Sequence, residues 1–360
     1  MKKLLKEYRI LIFILAIPYV LILISVFVKV DYDVTVPADI TKVSDSLEIG
    51  VHENQQVNTV SVYSYTRVTL LNYLLAQLNP YATVEKTYPY TVTDTNSMYQ
   101  SGAIQKKISI YNAIIAGYEA AGYLEIVDEN AFQGYIIHTL YTYASSKLQL
   151  GDVIVSFNHV DFTTRKRENE FTAICQTLSY DKDKTYPIRV LRNGEVLDFE
   201  IQTHYYYTDE QEVKHPSFGI GTYSYTLPKP MGLDQPDLQY GWGYGNSIGP
   251  SGGLMQSLYV YESLTGNTLT RGLKIVGTGT VDAYGNAGAI GGIYQKVITA
   301  HLAHADIFFV PVSSMDPDIY QYESNYQDAM ASYKRLRKTN MKLVPIASLA
   351  DAIVYLEQYK

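Results

Sequence analysis

Two glycine-rich stretches of the chain place a serine and a lysine in settings that suit nucleophilic catalysis. They read Gly249-Pro250-Ser251-Gly252-Gly253-Leu254-Met255 and Gly288-Ala289-Ile290-Gly291-Gly292-Ile293-Tyr294-Gln295-Lys296-Val297. Glycines allow sharp backbone turns and close approach of a substrate, and the apolar residues that follow Ser251 recur at helical spacing. Backbone N–H groups at such a helix start can hold an oxyanion. Ser251 and Lys296 therefore fit a serine–lysine dyad that would cut peptide bonds if the two side chains meet.

The role of Lys296 depends on its charge. A lysine accepts a proton only when it is neutral, and burial favours the neutral form because it lowers the pKa of the ammonium group. The neighbouring residues are apolar and permit such burial: Ile290, Ile293, Val297 and Ile298.

Each motif taken alone also has a simpler interpretation. Serine is a favoured N-cap residue, so Ser251 could merely start a helix. Lys296 could lie on the exposed face of an amphipathic helix. A phosphate-binding loop is excluded, because the Lys-Ser/Thr pair that closes such a loop is absent from this sequence.

The composition narrows the class of protein. With 360 residues, 47% of them hydrophobic, the chain is expected to form two or three compact units. Its net charge of −7, without a long basic run beyond the N-terminus, argues against a nucleic-acid partner. The single cysteine, Cys175, is interpreted as a small buried hydrophobe, with a catalytic role as the alternative. His301 and His304 lack an accompanying carboxylate cluster, so we expect no metal site and no cofactor.

The N-terminus carries the pattern of a membrane anchor. Basic residues precede an uncharged run over 10–28, and about 20 apolar residues suffice to cross a bilayer as a helix. No small-residue cleavage site follows, so a retained anchor is favoured over a cleaved signal peptide. We therefore predict a transmembrane helix over 10–30, with 1–9 in the cytoplasm and the rest outside the cell membrane. The lack of disulfides in an exported chain fits a bacterium.

Hydrophobic periodicity and breaker residues predict the main elements. Helices are expected over 66–79, 112–121, 168–178, 254–264, 293–304 and 348–358. Strands are expected within 33–60, at 134–137, within 273–282 and at 307–310, and Asn193-Gly194 predicts the turn of a hairpin.

The part of the chain over 124–207 resembles a PDZ domain of the bacterial type. The specific part of the resemblance is the segment Leu148-Gln149-Leu150-Gly151-Asp152-Val153-Ile154, between a strand and a helix. PDZ domains accept an extended peptide as an added strand. The resemblance implies that the loop that holds the peptide lies near Gln133, Gly134, Tyr135 and Ile136. The alternative is an ordinary small sheet without a ligand.

The serine and lysine motifs together resemble the proteolytic domain of the Lon family, and most closely its membrane-anchored members that carry a PDZ domain. Lon has Asp-Gly-Pro-Ser-Ala-Gly where this chain has Ile248-Gly249-Pro250-Ser251-Gly252-Gly253. Lon has Pro-Ile-Gly-Gly-x-x-x-Lys where this chain has Ala289-Ile290-Gly291-Gly292 and then Lys296. The separation, 296 − 251 = 45, is close to that of the family, and Thr278-Gly279 matches its Thr-Gly-Glu element.

The resemblance implies a role for each matched residue. Ser251 would be the nucleophile and Lys296 the general base. Thr278 would orient the lysine, and Gly249 and Gly252 would support the serine turn.

The resemblance also implies the organisation of the chain, an α+β fold in which a PDZ domain is inserted into a Lon-type proteolytic domain after one transmembrane helix. The expected ranges are 1–9 cytoplasmic N-terminus, 10–30 anchor, 31–123 N-terminal part of the protease body, 124–207 PDZ domain and 208–360 Lon-like proteolytic domain. Lon relatives often form rings, so a homo-oligomer is a further expectation.

Three departures from Lon affect the expected function. Ile248 and Thr280 replace carboxylates near the dyad, Ser-Gly-Gly replaces Ser-Ala-Gly, and the AAA+ module is missing. Without an ATPase the substrates would be flexible peptides or unfolded protein segments. We therefore expect an ATP-independent, membrane-anchored serine endopeptidase. The alternatives are a PDZ-bearing membrane scaffold with an inactive Lon-like fold, and an ATP-coupled machine whose ATPase is supplied by a partner.

Overall fold

A computed structural model divides the chain into two compact units. The first comprises Met1–Ala38 and Val62–Pro89, and the second comprises Asp39–Ser61 and Tyr90–Lys360. The structure describes residues 8–47, 49, 56–87, 95–127, 130–163, 170–178, 181, 183–203, 205–208, 214–229, 248–266 and 269–359.

The described elements give an α+β fold, the class that the sequence predicts. The helices are α1 Arg9–Phe27, α2 Leu70–Leu78, α3 Thr95–Ala120, α4 Glu170–Thr177, α5 Gly253–Thr265, α6 Ile293–Leu302, α7 Pro317–Tyr320, α8 Ser324–Arg335 and α9 Leu349–Gln358. The strands are β1 Tyr32–Lys42, β2 Val57–Tyr65, β3 Thr83–Lys86, β4 Phe132–Leu140, β5 Val153–Phe157, β6 Val160–Asp161, β7 Thr185–Arg192, β8 Glu195–Gln202, β9 Tyr205–Thr208, β10 Lys214–Ser217, β11 Ile220–Thr226, β12 Ile275–Gly277, β13 Thr280–Val281, β14 Ala287–Gly288, β15 Ile307–Pro311 and β16 Lys342–Ile346.

The prediction of a transmembrane helix over 10–30 is wrong. A helix, α1, does form over Arg9–Phe27. Across the described residues, however, no helix is at once long enough and apolar enough to cross a membrane.

The first unit contains α1, α2, β3 and the beginning of β1. β1 pairs antiparallel with β3, with Tyr32 opposite Lys86. The predicted helix over 66–79 is confirmed with a later start, because the side chain of Thr69 accepts a hydrogen bond from the N–H of Asn72 and caps α2. A small apolar core forms around Val34, Val68 and Ala76.

The main sheet of the second unit has α5 packed on one face and α6 on the other. β12 pairs in parallel with β2 and with β15, and β15 pairs in parallel with β16. Successive side chains of a strand point to opposite faces of its sheet. Phe309 packs in the apolar cluster that contains residues of α5, whereas Phe308 packs in the cluster that contains residues of α6. α5, which follows Ser251, and α6, which carries Lys296, therefore lie on opposite faces of the sheet.

The long helix α3 packs against α5 and extends well beyond the predicted helix over 112–121. It begins at Thr95, and its buried residues Ile110, Ile114 and Tyr118 join the same core as α5. It ends where Gly122 adopts a φ of +92°, as the sequence predicts for a glycine after a helix.

A second sheet has the strand order β11-β4-β5-β7-β8, with β6 beside β5. The predicted hairpin is confirmed: Asn193 and Gly194 have φ values of +51° and +86° between β7 and β8, as a type I′ turn requires. Asp152 is buried and receives hydrogen bonds from Arg192 at 2.7 Å, which explains why an acidic residue stands in this apolar segment. β11 lies after residue 207, the predicted end of the PDZ domain.

Candidate active site

The turn that carries Ser251 leads directly into α5. Gly249 has a φ of +97°, a conformation that other residues adopt only with strain. The carbonyl oxygen of Ser251 accepts hydrogen bonds from the Gly279 N–H at 2.8 Å and from the Thr278 hydroxyl at 3.0 Å. The Leu254 N–H in turn donates to the Gly279 carbonyl at 3.1 Å. These bonds fix the serine turn against the end of β12.

The N–H groups of Ser251 and Gly252 remain available in this turn. Neither donates a hydrogen bond within the described part of the chain. Both precede the first residue of a 13-residue helix, whose dipole favours negative charge at this end. The turn can therefore receive an anionic oxygen next to the Ser251 side chain.

Lys296 approaches the same point from the other face of the sheet. α6 begins after Gly292, and the Lys296 side chain is only 2% exposed. Its Nζ donates a hydrogen bond to the Thr278 Oγ1 at 3.0 Å, and it forms no ion pair with any described residue. Burial lowers the pKa of Lys296 to about 8. A substantial part of the lysine is therefore neutral at mildly alkaline pH.

Thr278 connects the two candidate residues. Its single hydroxyl hydrogen goes to the Ser251 carbonyl, so its oxygen accepts from the Lys296 amine. The structure thus brings Ser251, Thr278 and Lys296 together, with Gly249 and Gly252 in the turn. The Ser251 hydroxyl forms no hydrogen bond with Lys296. A neutral amine that donates one N–H to Thr278 keeps its lone pair free for that hydroxyl.

Helix α3 holds the serine turn from behind, a contact that the sequence does not reveal. The Ser109 hydroxyl donates to the Pro250 carbonyl at 2.9 Å, and the Gly249 N–H donates to the Gly102 carbonyl at 3.0 Å. Gly102 has to be small, because a Cβ there would stand 2.7 Å from the side chain of Ile248.

Asn325 holds the loop that precedes Lys296, and it was also missed by sequence reasoning. Its Oδ1 accepts from the Ile290 N–H and its Nδ2 donates to the Ile290 carbonyl, both at 2.8 Å. Asn325 lies near the start of α8, is 8% exposed and bonds both backbone groups of Ile290. The helix α8 was not predicted, so no sequence signal pointed to this residue.

We expect Asn325→Ala to lower the free energy of unfolding by about 3 kcal/mol, because both backbone groups of Ile290 lose their partner in a partly buried place. Urea denaturation of the purified protein measures this change. Asn340→Ala is the matched control, since Asn340 is exposed and surface substitutions usually change stability by less than about 0.5 kcal/mol. Equal effects of the two substitutions would contradict the role given to Asn325.

The four residues predicted to hold a peptide lie on or at the start of the paired strand β4. Tyr135 and Ile136 are buried, Gly134 pairs with Tyr225 of β11, and the Gln133 amide donates to the Asn130 carbonyl at 2.7 Å. β4 is hydrogen-bonded to β5 on one side and to β11 on the other. Strand addition needs an unpaired edge, and in the described part of this sheet the edge next to β4 belongs to β11.

Cys175 does not have the properties of a nucleophile. Burial raises the pKa of its thiol to about 12, so the thiol stays protonated and packs beside the apolar core of the second sheet.

Comparison with known proteins assigns no family. No family model matches the chain, and a search of curated proteins finds no match. The likeness to Lon therefore rests on the sequence motifs.

Proposed function

We propose that the chain is a serine endopeptidase that works without ATP on flexible peptides or unfolded protein segments. Ser251 is its nucleophile and Lys296 its general base. One observation carries the proposal: a buried lysine without an acidic partner is joined through the Thr278 hydroxyl to the residue that carries the candidate nucleophile. A lysine that serves only stability gains little from such a place, because burial of an unpaired ammonium group is costly.

The proposed reaction has two stages. Neutral Lys296 takes the proton of the Ser251 hydroxyl while Oγ bonds to the carbonyl carbon of the substrate, and the carbonyl electron pair moves to its oxygen. The free N–H groups of the turn stabilise this oxyanion. The lysine then passes its proton to the leaving amine as the C–N bond breaks. Water, activated by the same amine, hydrolyses the ester formed on Ser251.

The second sheet supports a role in holding the substrate. β11 is an edge strand in the described part of its sheet. The hydroxyl oxygens of Ser101 in α3 and Thr139 in β4 lie 3.4 Å apart. The carbonyl of the next residue, Gly102, accepts a hydrogen bond from the Gly249 N–H. An extended segment paired with β11 would therefore join the sheet that contacts α3, the helix that holds the serine turn. Peptide capture is therefore proposed for β11 and not for the loop expected near Gln133, Gly134, Tyr135 and Ile136.

A fluorophosphonate reagent tests the proposal, because it reacts with activated serine hydroxyls. We expect mass spectrometry to find the label on Ser251 and none on Ser257, a buried serine of α5 whose hydroxyl donates to the Leu254 carbonyl. The same protein is expected to cleave an unstructured peptide at one rate with and without ATP and Mg²⁺. A protein that binds the peptide but neither cleaves it nor takes the label would be a scaffold. Cleavage that requires nucleotide would indicate an ATP-coupled machine.

A further inference from the structure

The side chain of Gln256 is a buried polar group that the reaction above leaves unused. It lies in the second turn of α5, and it is only 5% exposed. Its oxygen Oε1 is fully buried without a hydrogen-bond partner, and across the described residues its nitrogen Nε2 forms no hydrogen bond either. Burying an amide without a partner costs stability. A ligand that approaches during the reaction would explain why the chain keeps an unpartnered amide in this place.

Gln256 borders the backbone next to Ser251. Its own N–H donates to the Gly252 carbonyl at 3.0 Å. Its Nε2 lies 3.7 Å from the point that a Cβ on Gly252 would occupy, and the Thr59 methyl group lies 3.1 Å from the same point. The absence of a side chain on Gly252 leaves this place open. The alanine that the Lon motif has here would fill it with a methyl group.

The two amide atoms of Gln256 differ in access. Oε1 is closed off completely, whereas Nε2 is not among the fully buried atoms. The atom that an incoming group can reach is therefore a hydrogen-bond donor. It lies beside Gly252, the N-cap of α5, whose own N–H group donates no hydrogen bond within the described part of the chain. A donor in this place suits an oxygen that becomes negatively charged.

We propose that Nε2 of Gln256 donates a hydrogen bond to the oxyanion of the tetrahedral intermediate, next to the backbone N–H of Gly252. The inference rests on the proposed endopeptidase function and supplies a second donor for the oxyanion. The hydrogen bond strengthens as the carbonyl electron pair moves to oxygen, so its contribution is largest in the transition state. No proton leaves Gln256 and no bond to it forms or breaks.

Gln256→Met tests the inference, because methionine has a similar volume but no donor. We expect kcat for an unstructured fluorogenic peptide to fall by about 10²-fold with little change in KM, as for the loss of one oxyanion donor. We expect the midpoint of thermal unfolding to stay equal or to rise, because an unpartnered buried amide is removed. Gln256→Glu keeps the shape but turns a carboxylate toward the oxyanion, and it should be less active than Gln256→Met.

Ser263→Ala is the matched control. Ser263 is also buried on α5 without a partner for its hydroxyl, but it lies at the other end of the helix, so its replacement should not change kcat. Unchanged kcat in Gln256→Met would overturn the inference while leaving the endopeptidase in place. If Gln256→Met lost both folding stability and activity, the role of Gln256 would be structural, and this result would also overturn the inference. A wild-type protein that cleaves no peptide would refute the proposed function itself, and this inference with it.

Discussion

Lys296→Met is expected to lower kcat for peptide cleavage by about 10⁴-fold, because the reaction loses its general base and its proton donor together. Methionine fills a similar volume, so the packing of α6 changes little. Steady-state kinetics on an unstructured peptide measure the loss. Lys342→Met is the matched control, since Lys342 is exposed at the start of β16. Similar kinetics in the two variants would contradict the assignment of Lys296 as the base.

The wild-type enzyme should also become faster as the pH rises. Burial lowers the pKa of Lys296 to about 8, and only the neutral amine accepts the serine proton. The value of kcat/KM should therefore rise tenfold per pH unit below about 8 and level off above it. A flat profile from pH 6 to 9 would argue against lysine as the base.

The lowered pKa of Lys296 also means that its burial makes the folded protein less stable at neutral pH. A salt bridge has the opposite effect on the free energy of unfolding. The pKa of Lys296 is about 8 in the folded protein and 10.5 in the unfolded chain. Below pH 8 both states carry the proton, and the folded state bears the full cost of burying the charge. Between 8 and 10.5 the unfolded chain binds more protons, so the free energy of unfolding rises with pH, by about 3 kcal/mol in total. Lys296→Met should be more stable than the wild type at pH 7 and should lack this rise.

Ser251→Ala is expected to lower kcat by about 10⁴-fold or more, because no other group can form the ester intermediate. Its effect on folding should be below about 0.5 kcal/mol, since the Ser251 hydroxyl forms no hydrogen bond with the described residues. Peptide binding should persist, so the inactive variant should still retain the substrate. Cleavage rates and the affinity for the uncleaved peptide measure the two effects.

Ser257→Ala serves as the control for Ser251→Ala. It removes a buried hydroxyl from the same helix without touching the turn. If Ser251→Ala cleaved peptide at the rate of Ser257→Ala, Ser251 would not be the nucleophile and the proposed function would fail.

Local patterns sufficed for the elements that carry Ser251 and Lys296. The glycines around Ser251 predict a turn before a helix, and α5 begins at Gly253 and ends before Gly266, which adopts the left-handed conformation. The apolar run that ends at Val310 predicts a buried strand, and β15 has every residue buried. These features depend on residues that are close in the sequence, so they can be predicted without a structure.

The residues that support the site could not be read from the sequence, because their partners are distant. Ser109 and Pro250 are 141 positions apart, and Asn325 and Ile290 are 35 positions apart. A serine inside a helix or an asparagine near its start has no local feature that announces such a bond. The pairing of β11 with β4 is equally non-local, because it places Tyr225 opposite Gly134.

The contacts of α3 have a consequence for how the protein can change over generations. Over residues 101–112 this single helix contacts Thr139 through Ser101, the serine turn through Gly102 and Ser109, and β13 through Asn112. A substitution that suits one neighbour disturbs another that belongs to a different sheet. This segment should therefore tolerate the fewest replacements in a saturation library selected for activity, although it contributes no group to the chemistry.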